Sequence, residues 1–110
     1  MSPAPPDTSP VASVFAALGD TTRLMLLTRL IEGRAQSVVE LTRGTGLTRQ
    51  GVSKHLAVLE AAGVVSSTRT GRENRFAVRP SGLAEAGRYL ERASRQWGNA
   101  AERLRNLVED

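Results

Sequence analysis

Cysteine is absent from this 110-residue chain. Disulfides, thiolate metal sites and thiol redox sensing are therefore excluded. Histidine occurs once, at His55, and one imidazole without thiolate partners makes no metal site. Aromatic residues amount to only 4%. No apolar run approaches the roughly 20 residues that span a bilayer. Met1 to Pro10 has no basic stretch followed by an apolar one, so it does not read as a secretory leader. No nucleophile stands at a suggestive spacing from a base, and no glycine loop is built to cradle phosphate. The chain reads as a cytoplasmic protein that is not an enzyme and carries no metal or cofactor.

What is present fits one small domain. Apolar residues make up 40%, enough for a single modest core but not for a large substrate cavity. Residues 1–10, MSPAPPDTSP, hold four prolines among small polar residues and read as a disordered arm. Residues 11–110 carry the periodic patterns. Val11, Val14, Phe15 and Leu18 have helical spacing up to Gly19. Asp20 is placed to cap a second helix bearing Leu24, Leu27, Leu30 and Ile31, which Gly33 stops. Ser37-Val38-Val39-Glu40 is a capping box that starts a short helix with Val38 and Leu41 facing inward. Gly44-Thr45-Gly46-Leu47 breaks it. Thr48 then caps a helix that runs to about Ala62.

Beyond Gly63 the period changes. Val64 to Thr70 and Arg75 to Val78 read as strands, with Gly71-Arg72-Glu73-Asn74 as the turn of a hairpin. After Pro80-Ser81-Gly82 a long helix is expected from Leu83 to about Val108. This order predicts a mainly α chain with a small β-hairpin: a winged helix-turn-helix that dimerises through its terminal helices.

The helix after Thr48 has two faces. At 100° per residue, Val52, Leu56, Leu59 and Gly63 fall within about 40° of one another and form the core side. Gln50, Ser53, Lys54 and Ala57 lie opposite, with Arg49 at the edge. Gln pairs with adenine and Arg or Lys with guanine in a major groove, and small Ala57 permits close approach. The charge is localised to match. Residues 43–79 hold seven basic and two acidic side chains, a net of +5, while the rest of the chain sums to −1. That is the footprint of a polyanion partner. The expected DNA contacts are Thr48, Arg49, Gln50, Ser53, Lys54 and His55 on the helix, and Arg69, Arg72, Asn74 and Arg75 on the hairpin. Arg72 and Arg75 are expected near its tip.

The last helix repeats Leu83, Leu90, Trp97 and Leu104 every seven residues, beside a row of small residues that includes Ala101. A helix of about 25 residues, roughly 38 Å long, exceeds what this domain covers. The expected dimer surface is therefore Leu83, Leu90, Trp97, Ala101 and Leu104 with Val11, Val14 and Phe15. A small-molecule effector between the last helices, beside Trp97, would change the separation of the reading helices. The competing reading is a winged-helix protein-interaction module without DNA.

The runs VFAALGDTTRLMLLTRLIEG and SVVELTRGTGLTRQGVSKHLAVLEAAGVVSSTRTGRENRFAV closely resemble the ArsR/SmtB family of bacterial regulators. The resemblance covers residues 11–108. It implies a homodimeric repressor of a palindromic operator, with helix 48–62 in the major groove and the hairpin as the wing. Arg49, Gln50, Ser53, Lys54 and His55 match the family's DNA-reading stretch, and Arg72 and Arg75 its wing. Many members sense metals through Cys-x-Cys; Ser37 and Val39 stand there instead. Others use Asp and His on the last helix, where this chain has no His. The resemblance is thus to a metal-independent branch.

Overall fold

Three side-chain caps set where helices begin in the structure, a computed structural model that describes residues 10–109. Helix α1 (Pro10–Leu18) ends two residues before Asp20, whose carboxylate accepts the Arg23 amide at 3.1 Å and opens α2 (Thr21–Glu32). Ser37 ends strand β1 (Gln36–Ser37) and caps α3 (Val38–Thr42), with both halves of the capping box formed to Glu40 at 3.0 and 3.2 Å. The Thr48 hydroxyl accepts the Gly51 amide at 2.9 Å and opens α4 (Arg49–Ala61). Strands β2 (Val65–Thr70) and β3 (Glu73–Val78) follow, then α5 (Pro80–Glu109). Apart from Pro10, which begins α1, the expected arm lies outside the described residues.

The wing differs from the expected hairpin in two ways. Its loop is only Gly71-Arg72, because Glu73 pairs with Thr70 and Asn74 with Arg69 inside the ladder. Gly71 takes φ +64°, a conformation that glycine adopts without strain. There is also a third strand. β1 pairs antiparallel with β3, Gln36 opposite Phe76 and Ser37 opposite Arg75, so the order is β1-β3-β2. The last helix also starts three residues early. Proline suits a first helical turn, where the missing N–H has no partner to lose.

The core gathers Val14 and Ala17 of α1, Leu26, Leu27 and Leu30 of α2, Leu41, Val52, Leu56 and Leu59 of α3 and α4, Val64, Val65, Phe76, and Ala86 of α5. The buried stripe of α2 therefore differs from the expected one. Leu24 and Ile31 point outward, 45% and 56% exposed, because Leu26 takes the inward position. Val14 lies in the chain's own core at 3% exposure, so it presents nothing to a second copy, contrary to expectation. Phe15 is half-buried, edge-on to Tyr89 of α5 with centroids 5.8 Å apart.

Two backbones meet closely where α4 ends. Gly63 turns the chain with φ +81°. A methyl group built on Gly82 would stand 2.1 Å from the Gly63 carbonyl oxygen. Beside it the Arg79 amide donates to the Val64 carbonyl at 2.8 Å. The start of α5 is thereby joined to the end of α4.

Candidate nucleic-acid interface

Helix α4 is held from behind and open in front. Val52, Leu56 and Leu59 are fully buried. Arg49, Gln50, Ser53, Lys54 and Ala57 are exposed on the other side. The wheel drawn from the sequence is thus the arrangement in three dimensions.

The turn before α4 has its own support. Arg29 of α2 donates to the Leu41 carbonyl at 2.9 Å and the Arg43 carbonyl at 3.1 Å. A cation on carbonyls at the end of a helix is favourable with its dipole. Thr45 donates to the Thr42 carbonyl at 2.7 Å. Gly44 and Gly46, at φ +75° and +74°, carry the chain round. Arg29 was not singled out from sequence, since an arginine within an apolar helix gives no sign of what it reaches.

His55 faces the join of α1 and α2. The Arg23 guanidinium donates to its Nδ1 at 3.4 Å, and the same guanidinium donates to the Ala16 and Ala17 carbonyls at the end of α1. Accepting at Nδ1 puts the proton of the neutral ring on Nε2. Asp20 stands 3.8 Å from Nδ1. The Arg23 amide holds the Asp20 carboxyl below its ordinary range, with the Arg23 guanidinium adding to this against partial desolvation. Thr48, grouped with the DNA contacts, has its hydroxyl engaged as the cap of α4.

On the wing, Arg72 sits exposed in the two-residue loop, and Arg69 and Asn74 are exposed beside it. Arg69 donates to the Gly71 carbonyl at 3.2 Å. Arg75 is not at the tip. It lies opposite Ser37 and Thr68, donates to the Ala35 carbonyl at 3.3 Å and meets Glu40 at 3.2 Å and Glu73 at 3.4 Å. Glu40 titrates below its ordinary range, first because it accepts the Ser37 amide and further because Arg75 is beside it, with desolvation opposing. Arg75 therefore fastens the wing to the start of α3. Glu60, on the far side of α4, accepts from the Ser67 hydroxyl at 2.8 Å and fastens it to β2.

A family model described as a helix-turn-helix domain matches residues 18–68. An ArsR-like transcriptional regulator from Rhodococcus sp. RHA1 superimposes with a TM-score of 0.75 at 38% identity, over 89% of this chain and 92% of that one. The chain belongs to the ArsR family. It is a winged helix-turn-helix transcriptional regulator. Two curated relatives agree. The HTH-type transcriptional regulator YuzN of Bacillus subtilis is 42% identical over 66 residues, 54% of this chain and 72% of the relative. A probable mercury resistance operon repressor of Streptomyces lividans is 40% identical over 73 residues, 66% of this chain and 56% of the relative. In this ArsR-family chain, α3 and α4 are the helix-turn-helix pair and β2–β3 the wing.

The expected dimer residues divide. Leu83 is half-buried against the core, and Val11 and Phe15 are half-buried on α1. Leu90, Trp97, Ala101 and Leu104 are exposed on α5, Trp97 at 77%. Leu107 and Val108 extend the same exposed stripe.

Proposed function

We propose that two copies form a two-fold dimer that represses transcription by occupying an inverted-repeat operator in the cytoplasm, with no catalytic step and no metal signal. The observation that carries this is the polar, cationic front of α4 over a fully buried back, continuous with a wing whose tip is an arginine. In this reading α4 enters the major groove. Gln50, Ser53 and Lys54 read base edges, and Arg49 contacts phosphate. His55 offers Nε2–H at the edge of the same face. Arg72, Arg69 and Asn74 at the wing tip reach flanking phosphates or a narrow minor groove. Arg75 contributes indirectly, by holding the wing.

Dimerisation is supported by α5. Its 30 residues, roughly 45 Å of helix, carry Leu90, Trp97, Leu104, Leu107 and Val108 uncovered. The metal-free reading is supported by Ser37 and Val39. Ser37 is buried and its oxygen is engaged as a helix cap, and Val39 offers no donor. A small-molecule effector seated beside Trp97 would alter the separation of the two reading helices.

The test is fluorescence anisotropy on the DNA upstream of the gene, with salt as the variable. Arg72→Ala is expected to weaken binding to all duplexes and reduce the salt slope by about 1. Arg75→Ala is expected to lower folding stability and leave that slope nearly unchanged. Footprinting is expected to show two half-sites about 10 bp apart on one face. Protection of a single asymmetric half-site, or no binding at low salt, would overturn the reading.

A further inference from the structure

Asp20, Arg23 and His55 meet where the join of α1 and α2 packs on α4. Capping α2 does not call for a charge at position 20, since an uncharged Asn caps a helix as well as Asp. Yet a carboxylate stands there, 3.8 Å from His55 Nδ1. We propose, on the DNA-binding reading above, that Asp20 is the counter-ion of His55. On the duplex the ring takes up a proton, donates Nδ1–H to Asp20 and donates Nε2–H to a backbone phosphate. Asp20 is then a positioning residue for a DNA contact, and binding consumes a proton from solution.

The ring has one occupied side and one open side. Nδ1 faces Arg23 and Asp20, while among the described residues nothing meets Nε2. The side chain is 28% exposed. One turn earlier stands Gly51, which has no side chain; a methyl group there would have only the Thr48 hydroxyl within 4 Å. A phosphate therefore has room to approach this edge of α4.

The neutral form is weakly held. The bond from Arg23 to Nδ1 is 3.4 Å, long for a hydrogen bond. The same guanidinium has the Ala16 and Ala17 carbonyls as further acceptors, so it loses little on turning from the ring. The protonated form is nearly assembled. A shift of about 1 Å brings the Asp20 carboxylate to the distance of a charge-assisted bond, about 2.8 Å. A carboxylate accepts several bonds at once, so the cap on the Arg23 amide is kept.

Charge couples the proton to the duplex. Asp20 and Arg23 balance each other, so a positive ring is unmatched until an anion reaches Nε2. No other group in the cluster changes charge near neutrality. Helix α1 has no ionisable side chain. Asp20 is held below its ordinary range and stays ionised. Arg23, Arg49 and Lys54 stay cationic. Glu40 of α3 is engaged by Ser37 and Arg75, and Glu60 by Ser67 of β2. Histidine is the side chain that gains its charge in this pH range.

The test is anisotropy on a fluorescent duplex from the DNA upstream of the gene, at pH 8 and pH 6 with ionic strength fixed. The parent is expected to bind about tenfold more tightly at pH 6. His55→Gln keeps a donor without the charge and is expected to bind alike at both pH values. Asp20→Asn keeps the cap, and with it the helix content in circular dichroism, and is expected to lose most of the pH effect. Because His55 is the only histidine, its ring nitrogens are read directly by ¹⁵N NMR. In the free protein at pH 7.5 they are expected to show the neutral Nε2–H form, and on addition of the duplex both are expected to become protonated. Ring nitrogens unchanged by the duplex, or a full pH effect in His55→Gln, would overturn the proton uptake. A full pH effect in Asp20→Asn would overturn the role of Asp20. A parent that binds the duplex equally at both pH values would refute the coupling and leave DNA binding standing, whereas no binding at low salt would overturn the DNA-binding reading itself.

Discussion

Gly82→Ala is the substitution with the most from which to calculate. The added methyl carbon would stand 2.1 Å from the Gly63 oxygen, 2.9 Å from the Gly63 carbonyl carbon and 3.4 Å from Val64 Cα. These are backbone atoms, so no side-chain rotation relieves the overlap. Ordinary contact begins near 3.4 Å, so α5 and the end of α4 must part by more than 1 Å. Such overpacking costs about 1–3 kcal/mol. The same movement stretches the bond from the Arg79 amide to the Val64 carbonyl, now 2.8 Å, and losing it adds about 1 kcal/mol. The expected loss is therefore about 2–4 kcal/mol. It is measured by urea unfolding at fixed protein concentration, because a dimer's stability depends on concentration. Gly98→Ala is the control. It has no atom within 4 Å, sits inside the same helix, and is expected to stabilise by about 0.5–1 kcal/mol. If Gly82→Ala unfolds within 0.5 kcal/mol of the parent, a rough threshold set by ordinary surface substitutions, the argument from close contact fails.

Two further outcomes follow from the caps. Thr48→Ala is expected to cost about 1 kcal/mol of stability through loss of the α4 cap. Thr48→Asp is expected to keep that stability yet weaken DNA binding, because it caps equally well while adding a negative charge at the reading face; equal affinity for DNA in gel shift would contradict this. Asp20 and Glu40 both titrate below their ordinary values of 3.8 and 4.5 in the fold. The unfolded chain therefore binds protons more readily in that range, and stability falls as pH drops through these values toward the lowered folded ones. The urea midpoint between pH 6 and 3 is expected to show this slope, and Asp20→Asn with Glu40→Gln to flatten it.

Much of the fold is legible in short spacings. Asp20, Ser37 with Glu40, and Thr48 act on amides three residues away, so the cap and its partner sit in one reading window. The two faces of α4 follow from helical period alone. What escapes such reading depends on distant partners. Strand β1 is two residues long and exists only because β3, nearly forty positions later, offers a free edge. Arg75 is read as a tip residue when the loop is drawn as four residues. The two-residue loop puts it within the sheet, and Glu40 then draws it toward α3. Leu24 and Ile31 fit the helical period of α2 as well as Leu26 does, and only the neighbouring elements decide which side is inside. Arg29 and Arg23 carry no local mark of the carbonyls they hold.

The short strand β1 has a consequence for how this molecule can vary. Ser37 is at once the end of a strand beside β3 and the first anchor of α3. The sheet and the first helix of the helix-turn-helix pair are therefore welded at one residue. Lengthening is open only at Gly71-Arg72. There an insertion of two residues extends both strands by one and keeps every side chain on its face, whereas a single inserted residue would turn one strand over. The length of the wing can thus be adjusted in paired steps at its far end, while the end beside α3 stays fixed.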